Sequence, residues 1–228
     1  SLENVALNEG ANYITIVSTL MSEQGQKISA TYRYNIHRLQ KDDVYGNEPY
    51  RDQYHYSIRE GWLNDPNGLV YFNGVYHMYH QFYDDLSWGP MHWYHLTSTD
   101  LIHWKEQPVV MFPDMNGTMF NGSIVVDTNN TSGLFQPGQS GLVALITADG
   151  NGQRLKLAYS TDGFHWTKMD KVSLDWLNDP LADAAFRDPK IFRWENQWFM
   201  VIAGGPLRIY SSHNLYDWKF EGGYPQIN

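Results

Sequence analysis

From about residue 55 onward the chain alternates short apolar and aromatic runs with clusters of Gly, Asn, Asp and Pro. Runs of this length bounded by such residues read as β-strands, and no stretch carries the sustained 3.6-residue period of a long amphipathic helix. Leu69–Phe72 and Val75–His80 flank Asn73-Gly74, a dipeptide suited to the two left-handed positions of a tight hairpin turn. Lys190–Trp194 and Gln197–Ala203 predict a second hairpin around Glu195-Asn196. Leu142–Thr147 and Leu155–Ser160 predict a third, joined by Ala148-Asp149-Gly150-Asn151-Gly152. The first 50 residues are less regular, with candidate strands at Tyr13–Thr19 and Ile28–Tyr34. These form either an extension packed on the main body or part of a small separate sheet. The pattern predicts an all-β protein.

The chain also repeats itself. Thr99-Asp100-x-x-His103-Trp104, Thr161-Asp162-x-x-His165-Trp166 and Asn214-x-x-Asp217-Trp218 echo one another, their tryptophans 62 and 52 residues apart. Four short strands per repeat of that size describe a β-propeller blade. Innermost strands of a propeller start around its axis, so segments distant in sequence converge there. Three such segments open apolar runs: Trp62-Leu63-Asn64-Asp65-Pro66-Asn67-Gly68, Phe120-Asn121-Gly122-Ser123 and Phe186-Arg187-Asp188-Pro189. The first puts a short carboxylate beside an indole, where a turn-forming segment runs into the strand beginning at Leu69. A rigidly held carboxylate at a strand mouth suits attack on a sugar carbon. The same heptapeptide is also ordinary turn chemistry.

Composition narrows the class. A chain of 228 residues can bury one substantial core or two small ones. Nine Trp and sixteen Tyr suit sugar-stacking platforms, and equally the core of an all-β protein. A net charge of −9 argues against nucleic acid or an anionic membrane as partner. No apolar run approaches membrane-spanning length, and no N-terminal signal pattern is visible, although a mature chain would have lost one. The absence of cysteine excludes a disulfide framework, a thiol nucleophile and thiolate metal sites. Glycosylation sequons begin at Asn116, Asn121, Asn129 and Asn130, and a glycan on Asn121 would block the convergence point. His77/His80 and His92/His95 are three apart, which on strands points each pair to opposite faces, so no metal is expected.

Five of these segments, in order, resemble glycoside hydrolase family 32, the invertases, inulinases, levanases and related fructosyltransferases. The likeness also takes in Tyr76-His77-Met78-Tyr79-His80-Gln81, Trp88-Gly89-Pro90-Met91-His92-Trp93 and Tyr159-Ser160-Thr161-Asp162-Gly163, and runs from about residue 55 to the C-terminus. It implies a five-bladed β-propeller followed by a β-sandwich. This chain would then cover roughly the first three blades, with 1–54 as a partly β N-terminal extension and 55–228 as an incomplete propeller. Open blade edges would favour an oligomer or a complementing C-terminal segment. The resemblance implies a retaining enzyme acting on β-fructofuranosides such as sucrose or fructans. It would use no cofactor and be secreted or vacuolar. Asp65 matches the family's nucleophile and Asp188 its transition-state stabiliser, with Arg187 beside it. Asn64, Gln81, Trp62, Trp88, Phe120, Asn121 and Ser123 match its substrate-binding positions.

Two features depart from that pattern. The family's acid/base glutamate sits in a Glu-Cys-Pro-like motif that this chain lacks, and Glu106, Glu195 and Glu221 occupy outer-strand or turn positions. The alternative is therefore a fructoside-binding or degenerate propeller without the acid. Second, Trp176-Leu177-Asn178-Asp179-Pro180 copies the opening motif but lacks the following Asn-Gly and apolar strand. Asp179 is expected to be a decoy in a loop between blades, lining the pocket rim.

Overall fold

The computed structural model describes residues 11–21, 25, 27–37, 48–52 and 55–224. Among the described residues the regular structure is all-β apart from one 3-10 turn at Trp176–Asn178. Strands β1 (Ala11–Met21) and β2 (Lys27–His37) form a two-stranded antiparallel sheet. Three four-stranded antiparallel sheets follow, each built in chain order. The first contains β3 (Trp62–Phe72), β4 (Val75–Tyr83), β5 (His92–Ser98) and β6 (Lys105–Met111). The second contains β7 (Thr118–Asp127), β8 (Gly141–Asp149), β9 (Gln153–Ser160) and β10 (Thr167–Asp175). The third contains β11 (Pro189–Trp194), β12 (Gln197–Ile202), β13 (Leu207–Ser212) and β14 (Lys219–Tyr224). These are three propeller blades, and the strands that open them lie together, β7 packing against both β3 and β11.

Local chemistry accounts for much of this. Asn73 and Gly74 both take left-handed φ values, 50° and 84°, and close the β3–β4 hairpin tightly. The repeated Asp/Asn motif marks the corner between the third and fourth strands of each blade. Asp100 Oδ1 accepts from the backbone N–H groups of Ile102 and His103, and Asp162 Oδ1 from those of Phe164 and His165. Asn214 Oδ1 does the same for Tyr216 and Asp217. The repeat is therefore a side-chain mimic of a backbone turn.

The core lies between blades. Tyr79, Trp93, Ile124, Leu142 and Ile146 fill the space between blades 1 and 2. Leu145, Leu155, Phe186, Met200 and Ile202 fill that between blades 2 and 3. The middle blade is covered on both faces, which is why β8 is a nearly continuous buried run.

Two local expectations change. β3 begins at Trp62, not Leu69, so the whole Trp62–Gly68 motif lies inside the strand. Register shifts between Leu63 and Pro66 and between Asn67 and Val70 make this feasible. They accommodate a proline without an N–H and Gly68 at φ 59°. The histidines do point to opposite faces along one strand, His77 packing on Phe164 and His80 on Tyr56 and Tyr94. Across strands, however, His77 and His95 stack with ring centroids 5.2 Å apart and a 3.0 Å Nδ1–Nε2 contact. Burial lowers both pKa values, that of His95 to about 3, so the pair is neutral. Among the described residues no three His, Asp or Glu side chains gather where they could hold a metal ion, and no helix is long and apolar enough to cross a membrane.

Candidate active site

The innermost strands bring the predicted residues together. Asp65 is exposed on β3 with both carboxylate oxygens held by amides. Asn64 Nδ2 donates to Oδ1 at 3.1 Å, and Asn121 Nδ2, from β7, donates to Oδ2 at 2.7 Å. Gln81 on β4 completes a ring: its Nε2 donates to Asn121 Oδ1 at 2.7 Å, and its Oε1 accepts from Asn64 at 3.3 Å. Trp62 Nε1 donates to Asn64 Oδ1 at 3.3 Å and so orients the first amide. Each amide group's orientation follows from its neighbour's, and the network spans two blades.

Asp188 opens β11, after a loop that leaves it at φ 61°. Its backbone N–H donates to Thr147 Oγ1 on β8, and its carboxylate lies 3.6 Å from Arg187 Nε. Burial raises its pKa and the Asp65 charge adds to this, while Arg187 and Asn121 oppose it. The two carboxylates therefore sense each other electrostatically, and Asn121 serves both. A cleft of about 460 Å³ lies among β3, β4, β7 and the start of β11, with Asn67, Asn121, Ser123 and Asp188 in its wall.

The aromatic positions frame this arrangement. Trp88 is 50% exposed and meets Phe120 edge-to-face, with ring centroids 5.6 Å apart. Ser123 is buried, and its Oγ accepts from the Ile191 N–H at 3.0 Å, tying β7 to β11. Asn116, Asn121 and Asn130, three of the four sequon asparagines, have their amides engaged; Asn130 bonds both backbone groups of Phe135. A glycan on Asn121 would replace one N–H of the amide that holds Asp65 and crowd the site.

Sequence reasoning missed Asn67, Trp93 and Thr147. Asn67 donates to Asn121 Oδ1 at 3.4 Å, and Trp93 Nε1 donates to the Phe120 carbonyl at 2.8 Å. Asn67 was findable from its place in the same heptapeptide; the other two depend on pairings between strands. Asp179 joins neither carboxylate of the cluster. Its carboxylate is fully buried against Arg208, so its expected place on the pocket rim is wrong. Glu106 pairs with Arg59, Glu221 accepts from Ser211 and Lys219, and Glu195 sits in the β11–β12 turn.

Residues 55–227 match the family model described as the glycosyl hydrolases family 32 N-terminal domain. The chain belongs to glycosyl hydrolase family 32. Among its family relatives it is 62% identical over 226 residues to a fructan beta-fructosidase of Streptococcus mutans, covering 99% of this chain and 16% of that protein. An extracellular exo-inulinase of Aspergillus niger is 38% identical over 212 residues, covering 79% of this chain and 39% of the relative. The exo-inulinase structure from Aspergillus awamori superposes with a TM-score of 0.73 at 36% identity, over 80% of this chain and 41% of that one. A Schwanniomyces occidentalis fructofuranosidase complexed with fructose gives 0.68 at 36% identity, over 76% and 36%. The chain thus spans well under half the length of these family 32 proteins, and its three blades are part of the family's five-bladed propeller.

Proposed function

We propose that this chain carries the nucleophile half of a retaining β-fructofuranosidase that releases fructose from fructans or sucrose. The observation that supports it best is Asp65, an exposed carboxylate held through both oxygens by Asn64 and Asn121, with Asp188 at the mouth of the adjoining inner strand. Amide donors aim Asp65 while keeping its outer face free for a sugar. Its oxygen attacks the anomeric carbon of a fructofuranosyl unit, and the bond to the leaving oxygen breaks as that oxygen gains a proton. Water, or an acceptor sugar, then displaces the aspartyl ester with retention.

Asp188 grips ring hydroxyls, and those bonds strengthen as positive charge develops on the ring. Arg187 opposes the rise in the Asp188 pKa; by their match to the family pattern, Gln81 and Asn64 would meet sugar hydroxyls, and Trp88 and Phe120 would wall the pocket. Since Glu106 and Glu221 are engaged elsewhere and Glu195 lies in the β11–β12 turn, the acid/base is assigned outside the described residues. The name of the Streptococcus relative favours fructans as substrate, and the name of the Aspergillus relative favours secretion. Residues 55–224 would be the catalytic unit, with the β1–β2 hairpin an appendage touching it where Tyr32 donates to the Asp114 carbonyl.

The test is fructose release from inulin and sucrose by the full-length protein and its Asp65→Ala variant. Loss of at least about 10⁴-fold in kcat is expected for removal of a nucleophile. Mass spectrometry of the quenched wild-type reaction should find a fructosyl group on Asp65. Turnover within about tenfold of wild type in the variant would reject the assignment.

A further inference from the structure

Arg208, on β13, is fully buried. Its Nε and Nη2 both donate to Asp179 Oδ2, at 2.9 and 2.7 Å. The rest of the guanidinium is used on backbone. Nη2 donates to the Asp183 carbonyl at 3.2 Å and Nη1 to those of Ala185 at 3.2 Å, Pro206 at 2.9 Å and Gly204. Its carbon lies 5.2 Å from the Phe186 ring centroid.

These acceptors fall on two segments. One is the loop that delivers Arg187 and Asp188; the other is the turn between β12 and β13. The turn in its own right holds that loop: Gly204 N–H donates to the Arg187 carbonyl at 3.1 Å, and a Cβ at Gly204 would stand 2.7 Å from Arg187 Cγ. Asp188 meanwhile sits at φ 61°, a left-handed conformation that aspartate tolerates at some cost and that neighbouring contacts help to hold. Arg208 supplies that constraint from blade 3, as Thr147 does from blade 2.

We propose that the buried Arg208–Asp179 pair is a positioning device that sets Asp188 for reaction, an inference that rests on the role given to Asp188 above. It also gives the second Trp-Leu-Asn-Asp-Pro copy a purpose. The Trp176–Asn178 turn, capped by Asp175 accepting from Leu177 N–H at 3.1 Å, feeds Asp179 into the blade interior as the counter-ion. A lysine would keep the charge of Arg208 but lacks the planar fork that reaches two segments at once.

The experiment is a double-mutant cycle in the full-length protein, comparing Arg208→Lys, Asp188→Asn and the double variant by kcat and KM on sucrose, with circular dichroism as a check of folding. Arg208→Lys should lower kcat by about 10- to 100-fold, the effect of a misplacement near 1 Å, with a smaller change in KM. The double variant should turn over within about threefold of Asp188→Asn alone, because both changes remove one function. A folded Arg208→Lys enzyme with kcat within about threefold of wild type, or losses that multiply in the double variant, overturns the device. Wild-type turnover in Asp188→Asn would instead reject the role of Asp188. If Arg208→Lys does not fold, the near-isosteric Asp179→Asn takes its place in the same cycle, where the same losses support the device and the same near-wild-type or multiplying values overturn it.

Discussion

Replacing Gly122 with alanine probes how tightly the site is built into the fold. Gly122 follows Asn121 on β7, at a break in the register between Met119 and Gly122. A methyl group there would stand 2.4 Å from the Leu145 carbonyl oxygen and 2.7 and 2.8 Å from two Trp93 ring carbons. Ordinary contact begins at 3.4 Å, so the strand or its neighbours must move by about 1 Å. Neither obstacle yields easily. The carbonyl belongs to β8, paired on both sides, and Trp93 is fully buried with its N–H bound to Phe120 O.

Overpacking of this kind costs about 1–3 kcal/mol. A shift of that size beside Asn121 would stretch its 2.7 Å bond to Asp65 past hydrogen-bonding range. Misplacement by an ångström lowers turnover on the order of 10²-fold. Gly122→Ala in the full-length protein should therefore lose both stability, read by chemical denaturation, and kcat/KM on sucrose. Full turnover in a variant that is merely less stable would show that Asn121 does not depend on the packing beneath it, and would refute the reasoning.

Two further outcomes follow from the charged groups. Burial, reinforced by Asp65, raises the Asp188 pKa, so the folded protein binds that proton more tightly than the unfolded chain and Asp188 weakens the fold as pH rises above the usual carboxylate range. Asp188→Asn should thus be more stable than wild type at pH 7 while losing about 10²- to 10³-fold in kcat; lower stability at pH 7 would contradict this. Asp114 is the opposite case: burial pushes its pKa up, but Lys168 and Lys156 outweigh that and hold it at about 2. Its stabilisation is complete above 3.8 and disappears as pH falls toward 2. Asp114→Asn leaves the nearly buried Lys156 without its carboxylate and should cost about 3 kcal/mol at pH 7. Denaturation curves should show that gap closing as pH falls toward 2, and an unchanged gap would be decisive against it.

What could be read from residues alone was whatever local chemistry controls. Asn73-Gly74 dictates a left-handed turn, and the Asp100, Asp162 and Asn214 side chains close their corners by bonding backbone two and three residues on. Those signals, evenly repeated, were enough for strands, hairpins and blades. The Asp65, Phe120 and Asp188 segments were legible as a set because each opens an innermost strand, and a propeller gathers such openings by symmetry. The start of β3 at Trp62 was not legible, because it depends on bulges negotiated with β4. Nor was the His77–His95 stack, which exists only through a cross-strand register.

The two Trp-Leu-Asn-Asp-Pro segments state the division most clearly. Read locally they are the same five residues, and the sequence alone determined only that one precedes an apolar strand. The tertiary structure made one aspartate an exposed carboxylate held by neutral amides. It made the other a sealed counter-ion to Arg208, 29 residues further along the chain. A carboxylate's chemistry depends on the charge and water around it, and those come from partners that only folding supplies.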